Sequence, residues 1–242
     1  MSEIVEPIIE KKLRRRRKPL LPHSLDDRMD LLKREIRVPA TLDEYFALVQ
    51  DVDYSIHYSR GEVVSFIELD ENNEPMGQAA PLHERLTALL IHLISIVLDI
   101  PRSEYQGFGS NIKVYVEGAI GAYNPDIAFT KGDAIVESII PFGRKRSTKV
   151  ITNPLILVEV LSKSTRDFDL YEKWEDYQKL GSVQQVIFLE QNEVNVRTYI
   201  KQGAHRWLYL EFKDINDVLP IIDKEETIRL DDIYKIDFLP KR

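Results

Sequence analysis

A chain of 242 residues with net charge −7, 43% hydrophobic and 30% charged, has material for one elaborated globular domain and is not a wholly disordered polymer. With no cysteine, disulfide scaffolds, thiolate zinc sites, iron–sulfur ligation and cysteine nucleophiles are excluded together. No apolar run approaches about 18 residues and no apolar stretch follows the basic N-terminus, so a soluble, cytoplasmic protein with no membrane span and no secretory signal is expected.

Residues 1–24 carry Lys11, Lys12, Arg14, Arg15, Arg16, Arg17 and Lys18 against Glu3, Glu6 and Glu10, a local net of +4 that leaves −11 for the remainder. Like charges repel, and Pro7, Pro19 and Pro22 prevent a continuous helix. The stretch reads either as a solvated arm or as an arm that docks on phosphate or on an acidic partner. Residues 1–40 are accordingly taken as a basic arm and lead-in, partly disordered, and 41–242 as the folded domain. The acidic body argues against non-specific coating of nucleic acid but leaves room for a local basic groove.

Thr41 and Glu44 make a capping-box pattern, which predicts a short helix through Leu48. Residues 56–58 and 62–69 read as two strands joined near Gly61, followed by a polar loop over 70–81. Leu82, Leu86, Leu89, Leu90, Leu93 and Val97 recur at helical spacing, and Pro81 suits the first position of that helix. Strand-like runs follow at 112–116, 123–129 and 155–161. A helix over 169–180 ends at Gly181. Further strands at 183–189, 194–200 and 207–212 are separated by turns at Gln191-Asn192 and Gln202-Gly203. The order predicts an α/β fold with a mixed central β-sheet flanked by helices.

Glu159 stands inside the apolar run Leu157-Val158-Glu159-Val160-Leu161. A buried carboxylate must be paired, hydrogen-bonded or metal-bound. Otherwise the sheet is one-sided and Glu159 faces water, which its apolar neighbours disfavour. Asp126, after Pro125 and before Ile127, is either a turn former or the second acid of a pair. Two acids on neighbouring strands can converge on one hard cation, and Mg²⁺ takes one or two carboxylates with waters and phosphates. Asp169 and Lys173 share a helix face, as a surface ion pair or with the lysine aimed at the acids. His83, near the start of the long helix, reads as structural or as a phosphate contact. Arg144, Lys145, Arg146 and Lys149 form a basic loop, either solvated or steering phosphate.

The segment Asn-Pro-Asp126-Ile, followed by Glu159-Val-Leu-Ser162-Lys-Ser164-Thr-Arg-Asp-Phe-Asp169-Leu-Tyr-Glu-Lys173-Trp-Glu-Asp-Tyr177, resembles the Uma family of putative restriction endonucleases, within the PD-(D/E)xK nuclease superfamily. The resemblance runs from about residue 41 to the C-terminus. It implies a restriction-endonuclease-like core and an Mg²⁺-dependent endonuclease acting on DNA, with Mn²⁺ as a substitute ion. It assigns metal binding to Asp126, Glu159 and the Val160 carbonyl, and catalysis to Asp126, Glu159 and Lys173. Glu62, His83, Ser162 and Asp169 become supporting residues. In the wider superfamily a lysine lies two positions after the second acid; here that position is Leu161, and Lys173 supplies the lysine from the following helix. The family's Tyr-Glu-Leu segment before Gly61-Glu62 reads Ile56-His57-Tyr58-Ser59 here, with His57 in place of the acid. That departure keeps open a catalytically eroded module for nucleic-acid or protein binding. A homodimer would suit the cutting of two strands.

Overall fold

In the computed structural model, residues 21–69, 74–76, 81–117 and 121–234 are described. In chain order they begin with α1 (Leu25–Met29), β1 (Glu35–Pro39), α2 (Leu42–Leu48), β2 (His57–Ser59) and β3 (Glu62–Phe66). The short pair β4 (Glu68–Leu69) and β5 (Pro75–Met76) leads to the long α3 (Pro81–Leu98). Then come β6 (Tyr105–Gly109), β7 (Lys113–Val116), β8 (Gly121–Tyr123), β9 (Ile127–Lys131), β10 (Val136–Ile139), β11 (Thr148–Ile151) and β12 (Ile156–Leu161). A π-helical turn, Phe168–Lys173, runs into α4 (Trp174–Tyr177). The chain closes with β13 (Gln185–Glu190), β14 (Val196–Gly203), β15 (Arg206–Phe212), β16 (Val218–Pro220), β17 (Thr227–Arg229) and α5 (Leu230–Ile233).

The fold is mixed α/β as expected, with most strands divided between two large mixed sheets and β4-β5 and β16-β17 forming two separate two-stranded sheets. One large sheet has seven strands in the order β1-β3-β2-β8-β7-β11-β10; the other has six, β15-β14-β13-β12-β9-β6. The division falls inside the stretch 123–129, which the sequence presents as one strand. Pro125 cannot donate to a ladder, so β8 ends at Tyr123 in the first sheet and β9 begins at Ile127 in the second. Asn124, Pro125 and Asp126 form the crossing between them. Three apolar clusters then stack as layers. Leu21, Tyr45 and Phe46 cover the outer face of the first sheet. Tyr123 and Val114 meet Leu157, Leu161 and Phe188 between the sheets. On the far side, α3 lies against Ile156, Val158 and Val160.

Local chemistry explains several of these elements. The capping box forms as expected: the Thr41 hydroxyl accepts from the Glu44 amide at 3.2 Å, and the Glu44 carboxylate accepts from the Thr41 amide at 2.8 Å. Arg60 and Gly61 both have positive φ (51° and 90°), the backbone that a two-residue hairpin loop requires. Gly121 has no room for a side chain, since a Cβ there would collide with the Tyr123 ring. In α3 the buried row is Leu86, Leu90, Ile94 and Leu98; Ile94, missing from the predicted stripe, is fully buried.

Two expectations change. By length and composition α3 is long and apolar enough to cross a membrane, contrary to the reading that no apolar segment reaches that size. Its apolarity has a local use, because one face is buried against the second sheet. The folded part also reaches back before residue 41. Leu21 is 2% exposed, Ser24 caps α1, and Arg28, fully buried, donates to the carbonyls of Lys33 and Ser65 at 2.7 and 3.0 Å. Residues 1–20 of the basic arm lie outside the described residues.

Candidate active site

Side chains on a strand alternate between faces. On β12, Ile156, Val158 and Val160 take the α3 side, so Glu159 shares the inter-sheet side with Leu157 and Leu161. It is 1% exposed and therefore needs partners. The Lys173 ammonium donates to it at 3.0 Å and the Tyr177 hydroxyl at 2.6 Å. Asp169 lies 2.8 Å from the same ammonium. Asp169, Lys173 and Tyr177 are spaced four apart along one helical segment, which puts them on one face. The first two lie within the widened π turn, a feature that recurs at functional sites. The ammonium also donates to the Asn124 carbonyl at 3.3 Å.

Asp126 arrives through sheet register. The antiparallel pairing of Val158 with Ile127 carries Asp126 to the position opposite Glu159, on the same face. The Val160 amide donates to Asp126 Oδ2 at 2.7 Å, and His83 Nε2 lies 3.3 Å from that oxygen. The Ser162–Asp169 segment is bound in by hydroxyls. Ser164 donates to Glu68 at 2.6 Å and Thr165 to Asp169 at 2.6 Å, while Ser162 Oγ lies 3.0 Å from Ser164 Oγ and 3.1 Å from Thr165 Oγ1.

One ammonium thus faces two buried carboxylates. Burial pushes the Glu159 and Asp169 pKa values up, and Lys173 offsets only part of this. Burial opposes the charge of Lys173, but Asp169 and Glu159 outweigh it and hold the lysine protonated. For His83 burial again opposes charge, yet Asp126 outweighs it and raises the pKa to about 9. His57 is kept neutral by burial and then by Lys173 and Lys113.

Asp126, Glu159, Asp169, Lys173, His83 and Ser162 all line one cavity of about 530 Å³. Val160 joins the group through its main chain. Glu62 is not in the lining: it sits at the surface, 3.6 Å from Arg37. The basic loop is exposed and lies beyond α2, with Arg144 paired to Asp51; Arg144, Lys145, Arg146 and Lys149 do not line the cavity. His57 does, with the Asn124 amide donating to its Nδ1 at 3.4 Å. Three contributors were not assigned roles from sequence: Tyr177, Asn124 and Lys113. Lys113 carries the same signal as Glu159, a charge in a buried strand. Tyr177 was marked only by lying one turn beyond Lys173.

The donors are all oxygen or imidazole. Among the described residues, no three His, Asp or Glu side chains are gathered to hold a metal ion by themselves. An excess of buried carboxylate over cation suits a hard divalent ion that takes two acids and completes its shell with water and phosphate.

A mixed α/β fold with an acid pair and a lysine at the junction of two strands has the form of a restriction-endonuclease-like core. The chain belongs to the Uma2 family, described as "Putative restriction endonuclease", whose family model matches residues 42–228. It is similar to the "Uncharacterized protein sll1609" of Synechocystis sp. (strain ATCC 27184 / PCC 6803 / Kazusa), 26% identical over 176 residues, which are 73% of this chain and 89% of that protein. Its fold is that of a crystal structure described as a "putative nuclease belonging to DUF820" from Anabaena variabilis ATCC 29413. That match has a TM-score of 0.61 at 15% identity and covers 81% of this chain and 98% of the other. Family and fold together make this a nuclease-like protein.

Proposed function

We propose that the chain hydrolyses phosphodiester bonds in DNA as a divalent-metal-dependent endonuclease, with Asp126 and Glu159 holding Mg²⁺, or Mn²⁺ in its place, and the Val160 carbonyl completing the protein's share. The observation that carries this reading is the register placing Asp126 opposite Glu159, with the Lys173 ammonium 3.0 Å from Glu159, in one cavity. When bound, the ion supplies a water of lowered pKa and charge compensation at phosphorus. Lys173 orients Glu159 and, through its weakest contact to Asn124, has a donor that can turn toward an attacking water or a phosphoryl oxygen. The Tyr177 hydroxyl fixes the other oxygen of Glu159. Arg144, Lys145, Arg146 and Lys149 meet flanking phosphates outside the cavity, and two copies acting as a homodimer cut both strands.

A second reading is favoured by His57, which occupies the family's acid position as a buried neutral ring: a nuclease fold kept for binding without cleavage. A plasmid-nicking assay with Mg²⁺ or Mn²⁺ separates the two. Nicking by the wild type that is lost in D126N and E159Q is expected. Folded protein that binds plasmid yet leaves it intact with either ion overturns the enzymatic reading.

A further inference from the structure

A second lysine enters the cavity wall from the other sheet. Lys113, the first residue of β7, is 8% exposed and lines the same space as Asp126, Glu159 and Lys173. The two lysines are treated differently. Lys173 is flanked by two carboxylates. Lys113 donates to the neutral Asn124 Oδ1 at 2.7 Å and stands 5.5 Å from the Tyr45 ring; among the described residues no carboxylate pairs with it. Burial without a counter-ion lowers its pKa to about 8. An ammonium left among dipoles and a ring face is costly to bury, unless an anion from outside completes it. Asn124 links the lysines, its side-chain oxygen holding Lys113 and its main-chain oxygen holding Lys173. An anion bound at Lys113 is thereby placed beside the acid pair.

We propose that Lys113 is a phosphate-binding residue whose ammonium, aimed by Asn124, takes the non-bridging oxygens of a nucleic-acid phosphate in this cleft. This deepens the nuclease reading and rests on it for the carrier of the phosphate, though not for the phosphate site itself.

The test uses the full chain, with K113M removing the charge and K113R keeping it. The first probe is inorganic phosphate against sodium chloride of matched ionic strength, read as a shift in Tm. Phosphate should raise the Tm of wild type and K113R and leave K113M unmoved. The second probe is a labelled DNA duplex in Ca²⁺ buffer. K113M should bind about tenfold more weakly, the loss of one charged hydrogen bond, with the slope of log K against log salt reduced by about 0.9. The third needs no variant: phosphate should protect Lys113 from amine acetylation, read by peptide mass. Absence of a phosphate shift or of protection in the wild type overturns the proposal, even if plasmid is nicked. Equal responses of K113M and wild type overturn it as well. Phosphate uptake through Lys113 in a protein that neither binds nor nicks DNA leaves the anion site standing and removes the nuclease reading instead.

Discussion

Replacing Glu159 by Gln asks whether its buried charge serves the fold or the chemistry. One ammonium lies between Glu159 and Asp169, so neutralising residue 159 leaves Lys173 and Asp169 as a balanced pair. Burial raises the Glu159 pKa from 4.5 to about 8. A carboxyl with a raised pKa favours the folded state most below the unfolded value, and that advantage is lost as pH rises through the folded one. The wild type therefore gives up stability as pH climbs out of the ordinary carboxylate range, and a Gln does not. The bonds from Lys173 and Tyr177 are already counted in that raised pKa, and the Gln side-chain oxygen can still accept one of them. In metal-free buffer at pH 7.5, E159Q should therefore be the more stable protein, on the order of 1 kcal/mol or a rise of about 2–4 °C in Tm. Toward pH 5, where the Glu159 carboxyl is neutral like Gln, the difference should shrink. Thermal melts of both proteins across pH 5–8 in EDTA measure this, and repeats with Mg²⁺ should raise the wild-type Tm while leaving E159Q unmoved. A loss of 3–5 kcal/mol by E159Q without metal, the signature of a broken structural ion pair, together with an unchanged Mg²⁺ response, would refute the reasoning.

K173M strands Glu159 and Asp169 without their cation and should cost about 3–5 kcal/mol in a urea melt. Adding E159Q should restore part of that loss, and strictly additive effects would show that the residues are not coupled. His83, with its pKa raised from 6.5 to about 9, stabilises the fold fully below pH 6.5 and loses this as pH rises through 9. Wild-type stability should fall across that window and H83Q should not follow it; parallel pH curves would discount the pair with Asp126. R28M removes a fully buried guanidinium and leaves the Lys33 and Ser65 carbonyls unmet, an expected loss of about 3 kcal/mol or more. Deleting residues 1–20, basic and poor in apolar periodicity, should leave the Tm nearly unchanged, and a drop of many degrees would show that the arm contributes to folding.

Much of the site could be read from the sequence because its signals are local. An acid inside an apolar strand has to find a partner wherever the strand ends up, so Glu159 identified itself. Spacings of four on a helix put Asp169, Lys173 and Tyr177 on one face before any tertiary contact is known. The same locality makes the Thr41–Glu44 cap and the long helix from Pro81 readable. Pairing between strands far apart in sequence is not local. The division of 123–129 between two sheets follows from which neighbours β8 and β9 find, and Pro125 permits the break without announcing it. The opposition of Asp126 and Glu159 is a matter of register, which pattern alone leaves free to slip by two. Lys113, His57 and Lys173 meet only because the two sheets close on Asn124. The resemblance offered Glu62 a supporting role and the basic loop had the charge to steer phosphate or simply to be solvated, and the packing of β3 and α2 carries both outside the cavity. The apolar run around residue 159 requires that one charge to find a buried partner, but the burial of Arg28 and Lys113, and which charges share a cavity, follow from how strands distant along the chain are brought together.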